Sequence, residues 1–109
     1  MTFKNKNILI TGASSGIGYQ LAKDLTAEGA NMALASRRIE LLENLVNEIS
    51  DNSRVKIYKC DITKKEAVKI LFSKVKNDMG KIDIAILNSG VAYRSSVLNY
   101  KSEQAEITF

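Results

Sequence analysis

Apolar residues in this chain follow two alternating rhythms. Continuous runs, Ile8-Leu9-Ile10 and Met32-Ala33-Leu34-Ala35, have the form of strands buried on both faces. Between and after them the spacing opens to three and four. Ile17, Leu21, Ala22 and Leu25 make one stripe, and Ile39, Leu42, Leu45, Val46 and Ile49 make another, each the core-facing side of a helix. The pattern predicts strands over 6–11, 31–36, 54–60 and 82–87. It predicts helices over 17–28 and 39–49, and a third that ends near Gly80. Gly29 reads as the stop of the first helix. Thr63 and Glu66 match a capping box at the start of the third, each side chain satisfying the other's orphan amide. Residues 91–101 read as a loop, and Ser102 as the cap of a last helix barely begun.

The order is β-α-β-α-β-α-β. Apolar strands separated by helices imply a parallel sheet covered on both faces, a three-layer α/β/α arrangement. Right-handed crossovers and a glycine-rich first turn point to a partial Rossmann-type doubly wound parallel sheet, strand order 3-2-1-4, in one domain over 1–109. In that frame residues 82–87 form a long apolar edge. The isolated chain is therefore expected either to self-associate there or to belong to a larger molecule.

Composition narrows the chemistry. The 109 residues are 45% hydrophobic, ordinary for a globular domain. Histidine is absent, which excludes a histidine-based metal site or catalytic triad, and no metal site is expected. Cys60 is the single cysteine, so no internal disulfide forms, and a reducing cytoplasm is the natural setting. Cys60 itself reads as a small apolar residue rather than a nucleophile. No secretory signal or membrane span is apparent. The net charge of +4 comes largely from scattered lysines that read as a solvated surface. No nucleic-acid or membrane partner is expected; a polyanionic cofactor is.

The run Thr11-Gly12-Ala13-Ser14-Ser15-Gly16-Ile17-Gly18 joins the first strand to the first helix. A pyrophosphate needs backbone amides and close approach, and glycine supplies both. Gly12 makes the tight turn, Gly16 admits the phosphate or ribose, and Gly18 lets helix and strand pack. The helix behind them presents free N–H groups and the positive end of its dipole. Ser14 and Ser15 add hydroxyl donors, and Ile17 lies within the same turn. The second strand ends Ala35-Ser36-Arg37-Arg38. Where an acid would hold a ribose 2′-hydroxyl stands Ser36, and an arginine fork suited to a 2′-phosphate follows.

The spacing from Thr11 to Gly18 resembles the cofactor motif of the short-chain dehydrogenase/reductase family, main branch. The resemblance covers the whole chain, but only the N-terminal part of the family's domain. It implies NADP(H), with Arg37 and Ser14 on the 2′-phosphate and Arg38 on the phosphate or stacked on the adenine. Cys60-Asp61-Ile62-Thr63 resembles the family's Asp-Val-Thr segment, which implies Asp61 on the adenine amino group and the Ile62 amide on the ring. Leu87-Asn88-Ser89-Gly90 resembles Asn-Asn-Ala-Gly; Asn88 and Gly90 match, while Leu87 and Ser89 depart from it. The departure at Leu87 bears on bracing of the sheet, not on cofactor binding.

In the family, catalysis needs a serine and a Tyr-x-x-x-Lys pair from the second half of the domain, and no catalytic residue is expected within these 109. Tyr19-Gln20-Leu21-Ala22-Lys23 has the spacing but sits in the first helix, away from hydride transfer. The resemblance implies an NADP(H)-dependent oxidoreductase acting on a small carbonyl or alcohol substrate, a homo-oligomer when complete. This chain would supply cofactor binding alone and be inactive by itself. The alternative is a non-catalytic nucleotide-binding or interaction module on the same fold.

Overall fold

The computed structural model describes residues 3–13, 16–49, 52–87 and 106–108. In chain order its elements are β1 (Asn7–Thr11), α1 (Gly16–Ala27), β2 (Asn31–Ser36), α2 (Ile39–Glu48), β3 (Val55–Lys59), α3 (Lys65–Met79), β4 (Ile84–Leu87) and β5 (Glu106–Thr108). The sheet runs β3-β2-β1-β4-β5, and every pairing is parallel. The expected 3-2-1-4 run is present, with a fifth strand beyond it.

β1 sits at the centre because its side chains bury on both faces. Ile8 and Ile10 enter a cluster with Ala22, Leu25, Leu42 and Leu45, the inward sides of α1 and α2. Leu9 points the other way, to Val68, Leu71, Phe72 and Val75 of α3. Alternate residues of one strand thus nucleate two cores, which is why its sequence is apolar without interruption. The N-terminal ends of the strands are joined by polar side chains. Asn7 Nδ2 donates to the carbonyls of Met79 and Lys81, Asn31 Nδ2 donates to Asn7 Oδ1 at 3.0 Å, and Arg54 Nη1 donates to Asn5 Oδ1 at 2.7 Å and to the Gly29 carbonyl.

Three expectations are corrected. β4 is not an open edge: Ile84, Ala85 and Ile86 pair with Glu106, Ile107 and Thr108 of β5. Its ladder groups are met by backbone of the same chain, so edge-to-edge association through β4 loses its driving force. For the same reason 106–108 is strand, not the start of a helix; β-branched Ile107 and Thr108 suit it. Ser102, its expected cap, lies outside the described residues. Finally, α3 begins at Lys65 with Lys64 as its N-cap and no side-chain cap bond, one residue later than a Thr63 cap requires. The Thr63 hydroxyl instead donates to Asp61 Oδ1 at 2.5 Å, since a carboxylate is the stronger acceptor.

Candidate functional site

All strands of a parallel sheet end on the same side, and the predicted site residues gather there. β1 delivers Thr11 and Gly12, β2 delivers Ser36, Arg37 and Arg38, and β3 delivers Cys60, Asp61 and Ile62. The turn after β1 is held against β2: the N–H groups of Gly12 and Ala13 both donate to the Ala35 carbonyl, at 2.9 and 3.4 Å. Gly12 and Gly16 have φ of +69° and +59°, a conformation that side chains strain to adopt. A Cβ built on Gly16 would meet nothing within 4 Å, so the space above it is open. Gly18 is buried within α1. Ile17 is 72% exposed beside the turn, an unusual place for a large apolar side chain.

Thr11 ends β1 just before this turn. It is fully buried, and its Oγ1 has no hydrogen-bond partner among the described residues. A buried hydroxyl costs free energy until something bonds it. Positive-φ glycines and open space at a helix N-terminus, with an unsatisfied hydroxyl at the end of the preceding strand, fit the phosphates of a dinucleotide.

The two neighbouring turns are fixed by side chains that sequence reasoning did not assign this work. Ser36, 6% exposed, accepts the Arg38 N–H on its Oγ at 3.1 Å, which turns the chain sharply and leaves Arg37 and Arg38 exposed. The signal was a serine two residues before an exposed turn. Asp61 Oδ1 accepts both the N–H of Thr63, at 3.0 Å, and its hydroxyl. These bonds, then the nearby charges of Arg37 and Lys64, overcome partial desolvation and hold the Asp61 carboxyl below its ordinary value. Ile62 packs its side chain against the α3-side core. Cys60 is buried, with its thiol on the Ala67 carbonyl at 3.6 Å. Burial, then the Asp61 charge, raise its thiol against the opposing pull of Lys74, the reverse of an activated nucleophile.

Ser14, Ser15, Asn88 and Gly90 lie outside the described residues. Tyr19 and Lys23 do meet, but on each other and on α2: the Tyr19 hydroxyl donates to Glu48, and Lys23 Nζ lies 3.3 Å from the same carboxylate. The Glu48 bond raises the Tyr19 hydroxyl above its ordinary value, opposite to what a catalytic tyrosine requires. Lys23 and Glu48 border a groove of about 500 Å³ that also includes Gly29 and Arg54, at the far end of the sheet from the glycine turn. Among the described residues no group of three or more potential metal-ligating side chains occurs, and no helix is long and apolar enough to cross a membrane.

Comparison with known proteins agrees with this geometry. A family model described as short chain dehydrogenase matches residues 6–109. An uncharacterized oxidoreductase of Listeria monocytogenes is 44% identical over 107 residues, 97% of this chain and 43% of that protein. A short-chain type dehydrogenase/reductase from Mycobacterium marinum superposes with a TM-score of 0.76 at 33% identity, over 83% of this chain and 37% of that one. NAD+-bound xylitol dehydrogenase gives a TM-score of 0.76 at 35% identity, over 83% of this chain and 35% of that one. The chain thus spans less than half the length of these relatives.

Proposed function

Because the chain belongs to the short chain dehydrogenase family, we propose that it is the NADP(H)-binding part of an oxidoreductase. The substrate is a small carbonyl or alcohol, and the bound nicotinamide supplies or accepts the hydride. The amides around Gly12, Gly16 and Gly18 hold the pyrophosphate, with Ser14, Ser15 and Ile17 completing that turn. Arg37, Arg38 and Ser14 hold the 2′-phosphate. Asp61 takes the adenine amino group and the Ile62 N–H takes the ring, while Asn88 and Gly90 close the site from the fourth strand. Within residues 1–109 this reading assigns cofactor binding and no turnover. The protein is read as a cytoplasmic homo-oligomer.

One observation carries the choice of NADP over NAD. At the end of β2, Ser36 occupies the place of an acid, and its neutral hydroxyl accepts the Arg38 amide. It therefore offers a ribose 2′-hydroxyl no charged acceptor, while two exposed guanidinium groups follow at once. The xylitol dehydrogenase relative is described with NAD+ bound, so the family leaves the choice open, and these residues favour NADP.

Calorimetric titration tests the reading. NADPH is expected to bind at least tenfold more tightly than NADH, about 1.4 kcal/mol. Equal affinities overturn it.

A further inference from the structure

We propose that Asp61 is the counter-charge of Arg37 and sets how strongly the chain distinguishes a 2′-phosphorylated ribose from a plain one. The inference deepens the NADP reading and rests on it. The ladder between β2 and β3 closes with the Cys60 N–H donating to the Ser36 carbonyl at 3.0 Å. The register sets Ser36 against Lys59, so Arg37 follows opposite Cys60 and Asp61 comes one residue later, both leaving the same edge of the sheet. Each stands in a fixed turn. Ser36 Oγ holds the first through the Arg38 amide, and Thr63 holds the second by bonding Asp61 Oδ1 twice.

Those two bonds leave Asp61 Oδ2 for other partners. The Arg37 and Lys64 charges both act on the carboxylate, after the Thr63 bonds, in keeping it ionised. No ion pair within 4 Å joins Arg37 to Asp61 among the described residues. The two charges therefore interact through space, at the strength of partly screened surface groups.

The consequence is a competition. Without cofactor, the Asp61 field holds the guanidinium near the end of β3. A 2′-phosphate must draw Arg37 to itself against that field, and its own negative charge is repelled by Asp61. An unphosphorylated ribose meets neither cost. Asp61 is thus a specificity-determining residue that lowers discrimination, while its adenine contact serves both nucleotides alike.

The test uses 2′,5′-ADP and 5′-AMP, which differ only in the 2′-phosphate, and the ratio of their Kd values. Asp61→Asn keeps the shape of the side chain and an acceptor for Thr63 while removing the charge. The ratio favouring 2′,5′-ADP is expected to rise about threefold, the size of a screened charge pair, and the gain to shrink in high salt. In an Arg37→Met background, Asp61→Asn should raise the ratio less. A purely structural role for Asp61 would weaken both ligands and leave the ratio alone. An unchanged ratio in Asp61→Asn, with the wild type strongly preferring 2′,5′-ADP, overturns this proposal and spares the NADP reading. A wild-type ratio of one overturns both. Circular dichroism checks the fold, and Asp61→Ser replaces Asp61→Asn should that variant unfold.

Discussion

The Asn7 backbone N–H donates to Asp83 Oδ2 at 2.7 Å, and the Asp83 N–H returns a bond to the Asn7 carbonyl at 2.8 Å. This reciprocal pair ties the start of β1 to the approach to β4. Burial by itself would raise the Asp83 carboxyl; the Asn7 bond, then Lys81 and Lys6, outweigh it and hold the group below its ordinary value. A depressed carboxyl contributes stability that is present above its unfolded value, near pH 3.9, and lost as pH falls through the folded one. Asp83→Ala should cost about 1–2 kcal/mol at pH 7. The difference from wild type should close as pH drops below 4, which urea denaturation at several pH values will show.

Gly16→Ala isolates the backbone of the cradle. The added methyl meets no atom, so any loss of stability comes from φ of +59°. About 1–2 kcal/mol is expected in denaturant midpoints. Dinucleotide affinity should fall at least tenfold, about 1.4 kcal/mol, because the methyl enters the space assigned to phosphate.

Phe72 is 1% exposed and lies at the centre of the α3-side core. Phe72→Ala should cost about 3–5 kcal/mol. Thermal unfolding measures this, and a loss below one kilocalorie would mean that the cavity collapses.

Tyr19→Phe should leave NADPH affinity unchanged, since the Tyr19 hydroxyl is turned onto Glu48 of α2 beside Lys23. Ultraviolet titration should show one fewer phenol titrating above the ordinary value in the variant, because the Glu48 bond holds the Tyr19 proton. A drop in cofactor affinity would count against the placement of the site.

Most of the fold was legible because burial on two faces leaves a plain signature. Residues 31–36 were bounded correctly, since Met32 to Ala35 are all fully buried. β5 was missed: three residues, Glu106–Thr108, carry too short a pattern to be told from a helix start. Within the candidate site, residue type pointed to Arg37 and Asp61, which leave the same edge of the sheet one register step apart. The bonds that fix them were harder to read. Thr63 had two plausible partners, the free N–H groups of its own helix and the Asp61 carboxylate, and the carboxylate took its hydroxyl proton. The orphan hydroxyl of Thr11 has no sequence signature, because threonine at a strand end is ordinary.

The strand order also bears on how the chain is made. β1 is synthesised first yet ends in the middle of the sheet, between a partner starting at residue 31 and another starting at residue 84. During translation it can gain one neighbour early, but its other side waits until residues 84–87 have left the ribosome. Two-sided burial of β1 therefore lags its first pairing and is governed by a distant contact. In the interval Ile8-Leu9-Ile10 is the segment most in need of shelter from other chains.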